Sequence, residues 1–263
     1  MALAVRLGAV HLVAMEWAGA GLVLAMRPHG ETSAILEVFS ADRGRHAGVV
    51  RGGAGRRLGP HLQPGNEVAL RWRARLEGQL GQFTVEPLKG RAGQLMESRL
   101  SLAALSSVCA LLQRALPERE PHPALHAATL ALLDALATLP DWRLPYLKWE
   151  LGLLAEIGYG LDLSQCAVTG ARQGLAFVSP KTGRAVTHEG AGPWQDRLLP
   201  LPPCLTSSAL IAPDLREMTE ALALTQHFLN RGLGAASGET AVPEARLRLA
   251  DLLGRLTPTS SPT

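Results

Sequence analysis

Between residues 21 and 86 side chains alternate with a period of two, and beyond Pro87 the period becomes that of a helix. Leu22, Leu24 and Met26 alternate with Val23, Ala25 and Arg27, and Ile35, Glu37 and Phe39 with Leu36 and Val38. Val49-Val50 and the stretches 68–76 and 83–85 complete the set. Turn signals separate them: Pro28-His29-Gly30, Asp42-Arg43-Gly44, Gly52-Gly53-Ala54-Gly55, Pro64-Gly65-Asn66 and Gly78. Five short strands in so few residues cannot stay flat with both faces wet. Closure into a small barrel removes the open edges, and the five-stranded OB barrel is the architecture these strands predict.

After the switch, Leu102, Leu105, Cys109, Leu112 and Leu116 form one apolar stripe, and Leu125, Leu132, Leu136 and Leu139 a second. Residues 117–123 (PEREPHP) break the helices apart and Pro140 stops the second. A third helix is predicted over 145–157, with Pro145 in its first turn and Gly158 at its C-terminal cap. Residues 162–203, rich in Gly and Pro, read as irregular, and helices resume near 213–229 and 243–256. The expected fold class is α+β: an OB-fold domain over 15–92 and an all-α domain over 93–257 carrying an irregular insert at 162–203. Residues 1–14 read as a disordered N-terminal extension ahead of a start at Met15, with a weak signal peptide as the alternative. Residues 258–263 read as a disordered tail. No run of 18 apolar residues exists.

Charge is unevenly spread. Between positions 43 and 75 stand eight arginines (43, 45, 51, 56, 57, 71, 73 and 75) and one acid, Glu67. The whole chain has 26 basic and 23 acidic residues, so outside that window 18 basic residues face 22 acidic ones. A one-sign field confined to one part of a chain implies a polyanionic partner, and the planar guanidinium fork suits phosphate. The sharpest segment is 68–76. Strand alternation places Val68, Leu70, Trp72, Ala74 and Leu76 on one side and Arg71, Arg73 and Arg75 on the other. Three arginines on one face repel one another unless an anion neutralises them, and a nucleic-acid backbone does so at a matching scale. Trp72 shares the apolar side with Leu70 and is expected in the core. The loop Arg51 to Arg57 lacks the Lys-Ser/Thr ending of a phosphate loop and reads as a flexible, arginine-flanked hairpin of the kind that clamps single strands. The candidate nucleic-acid contacts are Arg27, Arg43, Arg45, Arg51, Arg56, Arg57, Arg71, Arg73 and Arg75.

No catalytic constellation is legible. His122 and His126 are four apart, but prolines flank the first and no third ligand lies near, so they read as helix-entry residues. His188-Glu189 lacks a second histidine at helical spacing, and no GxSxG elbow occurs. Cys109, Cys166 and Cys204 are odd in number and widely spaced, which suits a reducing compartment. Cys166-Ala-Val-Thr-Gly170 followed by 177–183 has the layout of a zinc-ribbon knuckle, yet Thr169 stands where a second cysteine would. One thiolate cannot hold a four-ligand zinc, so a zinc-ribbon-like loop without metal is expected.

The stretch GLVLAMRPHGETSAILEVFSADRGRHAGVVRGGAGRRLGPHLQPGNEVALRWRARL and the later LKWELGLLAEIGYGLDLSQCAVTGARQGLAFVSPKTGRAV resemble the DNA repair protein RecO family. The resemblance covers most of residues 15–200. It implies a non-enzymatic, cofactor-free recombination mediator that binds single- and double-stranded DNA and anneals complementary strands. It implies RecR and the C-terminal tail of single-stranded-DNA-binding protein as partners, RecA loading downstream, and a bacterial, cytoplasmic, nucleoid-associated setting with no membrane and no small-molecule substrate. The tail would dock on the helical domain, in an apolar pocket beside a basic residue. Some family members hold a four-cysteine zinc site after the third helix; this sequence keeps only Cys166 of that pattern. Two other readings stand beside this one: an RNA-binding OB module, and a small hydrolase that would need Cys166 and His188 within hydrogen-bond reach.

Overall fold

The computed structural model describes residues 15–76, 78–206, 212–234 and 242–256, so the expectations for 1–14 and 258–263 fall outside the described residues. Five strands form the barrel: β1 (Met15–His29), β2 (Ser33–Ser40), β3 (Gly44–Val50), β4 (Glu67–Ala74) and β5 (Gln82–Lys89). It closes in the order β1-β2-β3-β5-β4. Closure depends on β1, whose first half pairs with β4 (Met15 opposite Ala74, Trp17 opposite Trp72) and whose second half pairs with β2 (Leu22 opposite Phe39, His29 opposite Ser33). Parallel pairing of Val49 with Gln82 and Val50 with Phe83 shuts the remaining gap. The periodicity places this strand's start at residue 21, six residues late, because Ala18, Gly19 and Ala20 carry no alternating signal. Gly21 is where the strand presses inward: a Cβ there would lie 2.7 Å from Leu70 Cδ1 and 3.0 Å from Val38 Cβ.

The barrel core contains Val23, Leu36, Val38, Val50, Leu62, Val68, Leu70, Trp72, Ala74 and Phe83. The β4 alternation holds as far as Ala74; Leu76, expected on the apolar side, lies beyond the strand end and is exposed. Trp72 is buried as expected, its indole Nε1 donating to Leu80 O at 3.0 Å. Leu22, Leu24 and Phe39 face away from that core and join the helical one. The two domains read from the sequence therefore share apolar packing across their boundary.

A short α1 (Ala92–Met96) follows, then α2 (Arg99–Ala115), α3 (Pro123–Thr138) and α4 (Arg143–Glu156). Ser98 Oγ caps α2 by accepting from Ser101 N, and α4 ends at Gly158 with φ +83, the cap expected of it. Asn66 ties barrel to helices: its Oδ1 accepts from the backbone N–H of Arg91 and Ala92, both at 2.9 Å, and its Nδ2 donates to Pro60 O and His61 O. Beyond α4 the 162–203 stretch is more ordered than its composition suggests. It holds a small sheet of β6 (Leu175–Val178), β7 (Ala185–Thr187) and β8 (Leu199–Pro200), with α5 (His188–Ala191) leaving β7. Strands of two to four residues are too short to show a period, so the sequence hides them. The helical part is accordingly not all-α. α6 (Pro203–Thr206) is brief; α7 (Leu215–Gly234) and α8 (Glu244–Gly254) complete the bundle.

At the centre of that bundle Arg246 and Glu150 are fully buried and paired in bidentate fashion, Nε to Oε2 at 2.6 Å and Nη2 to Oε1 at 2.8 Å. Thr225 Oγ1 and Tyr146 OH also donate to Glu150, and Ser107 Oγ meets Tyr146 OH at 2.7 Å. Ser107, Thr225 and Arg246 each bring a further helix to the α4 pair of Tyr146 and Glu150, so α2, α4, α7 and α8 meet at one polar node.

His46, on β3, is buried with neither ring nitrogen hydrogen-bonded, edge-on to Trp17 (5.2 Å) and Trp72 (4.8 Å). Burial first, then the charges of Arg119 and Arg43, lower its pKa from 6.5 to about 4. The folded value lies below the unfolded one, so this contribution is complete above pH 6.5 and is lost as pH falls toward 4. Over that window the protein should lose about 3 kcal/mol of unfolding free energy through His46. Urea melts between pH 7 and pH 4 check this: the His46→Phe variant should show a shallower decline than the parent, and parallel curves would refute it.

Candidate nucleic-acid interface

Strand alternation turns Arg71 and Arg73 outward from β4, and Arg75 is exposed just past its end. Arg71 stands opposite Thr84 of β5 and Ala18 of β1, and Arg73 opposite Gln82 and Glu16. Two concavities lie on this side of the barrel. One, of about 360 Å³, is lined by Arg51, Leu58, Arg71, Arg73, Gln82 and Phe83 among others. The second, of about 810 Å³, takes in His29, Ser33, Arg51, Arg73, Arg75 and Leu80. Arg51, Arg73 and Gln82 form the saddle they share. The β1–β2 and β4–β5 connections rim the larger hollow, the position from which OB barrels grip oligonucleotides.

The structure thus brings together Arg51, Arg71, Arg73 and Arg75 of the nine candidates. Arg51, Arg56, Arg57 and Arg75 make no ion pair with any described residue. Arg71 and Arg73 are not left to repel each other: Glu16 of β1 pairs with both, at 3.2 and 2.9 Å. That carboxylate is invisible to periodicity because it lies ahead of the alternating stretch. The loop after β3, expected to be a flexible hairpin, is folded back on the barrel. Gly53 N donates to Val50 O, Ala54 N to Thr32 O at 3.1 Å and Gly59 N to Gly55 O at 2.9 Å. Arg56 and Arg57 are exposed on it but line neither hollow.

The remaining candidates part company. Arg43 lies over the Trp17 ring at 5.9 Å. Arg27 is exposed, 3.7 Å from Glu37. Arg45 requires correction. Its Nη1 is tied to Glu37, a carboxylate 7% exposed, and its Nε donates to Leu116 O at 3.0 Å. Gln113 Nε2 donates to the other Glu37 oxygen at 2.7 Å. With Nε and Nη1 committed to a helix-end carbonyl and a buried carboxylate, Arg45 ties β2, β3 and α2 together and lines neither hollow.

The sites that look chemical resolve into packing. His122 Nδ1 meets Glu156 Oε1 at 2.6 Å at the start of α3, and His126 packs edge-on to Phe39. Cys166 Sγ takes its hydrogen bonds from Thr169 and Thr187, while His188 packs edge-on to Phe177, so the pairing a hydrolase would need is not formed. Among the described residues no group of three or more His, Cys, Asp or Glu could hold a metal ion.

The family model for the recombination protein O N terminal matches residues 15–91, and that for the recombination protein O C terminal matches 96–241. The chain is 53% identical to the DNA repair protein RecO of Ruegeria sp. (strain TM1040) over 241 residues, 92% of this chain and 99% of the relative. The protein of that name from Cereibacter sphaeroides (strain ATCC 17029 / ATH 2.4.9) is 54% identical over 92% of this chain and 99% of its own length. That from Jannaschia sp. (strain CCS1) is 53% identical, over 92% and 97%. The chain belongs to the recombination protein O family. The boundary between the two matches falls at the exit from the barrel, where Asn66 grips Arg91 and Ala92.

Two features of the helical half bear on expectations for a RecO-family protein. One is the loop after α4, which is organised around Cys166. Sγ of Cys166 accepts from Thr169 N (3.4 Å), Thr187 N (3.3 Å) and Thr187 Oγ1 (3.5 Å), the donors a metal-bound thiolate attracts. Burial raises the thiol pKa, but these donors outweigh it and bring it to about 6. No second thiolate faces it, so the residues present do not fit zinc. The other feature is an apolar groove of about 590 Å³ between α3 and α4, floored by Ala128, Ala131, Leu132 and Trp149, with Lys148 and Glu156 on its walls. Its sequence signal is the run of alanines at 124, 128, 131 and 135, spaced to keep one side of α3 low.

Arg45→Ala should destabilise the fold by about 2–4 kcal/mol, because it strands the Glu37 carboxylate, and should leave the salt dependence of DNA affinity unchanged. Arg51→Ala should do the reverse. Urea denaturation and salt titrations on both variants test the division, and a shallower salt slope for Arg45→Ala would put it back among the DNA contacts.

Proposed function

We propose that this chain is a DNA-binding recombination mediator in DNA repair that brings complementary strands together without making or breaking a bond. The observation that carries the reading is the convergence of Arg51, Arg71, Arg73 and Arg75 around two hollows on one side of an OB barrel. Phosphates of a strand laid across that side neutralise the guanidinium groups and release counterions. Two strands so neutralised repel each other less, and their bases can meet. The name its relatives carry, DNA repair protein RecO, supports the biological setting. Among the described residues no helix is long and apolar enough to cross a membrane.

The partners follow the family resemblance: RecR, single-stranded-DNA-binding protein and, downstream, RecA loading. The α3–α4 groove fits an acidic, apolar-ended tail, with Ala128, Leu132 and Trp149 for the apolar residues and Lys148 for a carboxylate. An annealing assay on complementary oligonucleotides, with and without single-stranded-DNA-binding protein, tests the whole activity. Replacing Arg71, Arg73 and Arg75 together by Ala should flatten the plot of log affinity against log salt for single strands by about 2, near 0.7 for each phosphate no longer neutralised. Unchanged affinity and slope would remove this strand from the interface. Lys148→Ala should weaken binding of a peptide copying the single-stranded-DNA-binding protein tail about fivefold or more in fluorescence anisotropy, with DNA affinity unaltered. Equal peptide binding would move the tail elsewhere.

A further inference from the structure

Glu16 is the one described acid paired with the arginines of the candidate interface, and its placement is specific. It stands directly opposite Arg73 in the β1–β4 ladder, with Arg71 two residues along on the same side of β4. Its two oxygens are divided between them: Oε1 lies 3.2 Å from Arg71 Nη1 and Oε2 2.9 Å from Arg73 Nε. A phosphodiester group offers its two non-bridging oxygens to a pair of guanidinium groups in the same way. The side chains of Arg71, Arg73 and Glu16 are 59%, 63% and 36% exposed, so both pairs face water and are weak enough to exchange partners. Arg73, like Arg51 and Gln82, lines both hollows, whereas Arg51 and Arg75 have no acidic partner among the described residues.

We infer that Glu16 is a built-in competitor for phosphate, a specificity-determining residue that a nucleic-acid backbone must displace from Arg71 and Arg73 to occupy the whole surface. This rests on the reading that the surface binds DNA. An isolated phosphate can replace the carboxylate between Arg71 and Arg73 but reaches no further arginine, so it gains little over a group already held in the protein. A strand reaches Arg51 and Arg75 as well, and those hold it while Glu16 is exchanged. The carboxylate so released gathers a cation from solution, which offsets part of the counterion release that drives binding. Glu16 therefore lowers both the affinity for any polyanion and the salt dependence of that affinity, and selects for ligands carrying several phosphates in a row.

Glu16→Gln keeps the shape of the side chain and removes its charge. In fluorescence anisotropy with labelled oligo-dT, the variant should bind about two- to tenfold more tightly than the parent. Its slope of log affinity against log salt should be steeper by about 0.7. Glu220→Gln, which removes a charge from a surface pair with Arg216 on α7, controls for net charge and should change both quantities less. In an Arg71→Ala, Arg73→Ala background the gain from Glu16→Gln should vanish. A Glu16→Gln effect no larger than that of Glu220→Gln, a loss of affinity, or a gain that persists without the two arginines would each overturn the inference. The arginine double variant separates the two levels. Undiminished DNA binding there overturns the interface itself, whereas diminished binding with no gain from Glu16→Gln in the parent overturns only the competitor. Thermal melts by circular dichroism confirm that each variant is folded.

Discussion

One strand of 15 residues closes this barrel, and most of what the protein can do hangs from it. The first half of β1 pairs with β4 and the second half with β2, so the same segment bonds to both of its neighbours in the closed sheet. Its buried residues fill two different cores on opposite sides of the strand: Val23 belongs to the barrel, and Leu22 and Leu24 to the helices. Its outward Glu16 reaches the arginines of β4. Closing a sheet of five strands demands strong coiling somewhere, and here the register shift between Val23 and Ala25 and the close approach at Gly21 supply it.

Two buried carboxylates then hold the larger architecture. Glu37, from β2, takes donors from Arg45 on β3 and Gln113 on α2, while Arg45 also reaches the carbonyl of Leu116 at the end of that helix. Glu150, from α4, is satisfied by Arg246, Thr225 and Tyr146. Charges in such places stabilise little beyond an apolar core of the same volume, but they are intolerant of any other arrangement. Glu37 fixes how the barrel meets α2, and Glu150 fixes how four helices meet one another. Between them runs shared apolar packing, with Phe39 of the barrel against His126 of α3.

The parts of this fold that were legible in the sequence are those where burial imposes a period. The alternation of β4, the buried Trp72, the stripes of α2 and α3 apart from the exposed Leu102 and Leu139, and the glycine cap of α4 can all be read from spacing alone. The start of β1 and the small sheet beyond α4 could not, because Ala18–Ala20 lack contrast and strands such as Leu199–Pro200 are too short to repeat. The candidate site was legible in kind and less so in membership. A cluster of arginines in a sequence window announces a polyanion, yet whether an arginine is free depends on partners far away in the chain. Arg45 finds Glu37 and Leu116, and Arg71 finds Glu16, 55 residues earlier. The Arg71–Glu16 pairing arises from barrel closure and the Arg45 clamp from the docking of α2 on the β2–β3 hairpin, neither of which a local pattern encodes. The α3–α4 groove escapes a sequence reading for the opposite reason: it is made by what the alanines do not fill.

The shared core has a consequence for how occupants of the two surfaces communicate. Leu22, Leu24 and Phe39 are embedded among the helices, so the barrel that carries the arginine surface and the helices that form the α3–α4 groove share one apolar core. Changing the span between the two surfaces would then require disrupting that shared packing. A partner seated in the groove by a flexible tether holds whatever else it carries at an effective concentration set by its own tether length, not by any motion of this chain. The protein would act as a ruler. Handover between a bound partner and the barrel would be tuned by lengthening or shortening the partner, and a loosened Glu37 clamp would blur that distance before it unfolded either half.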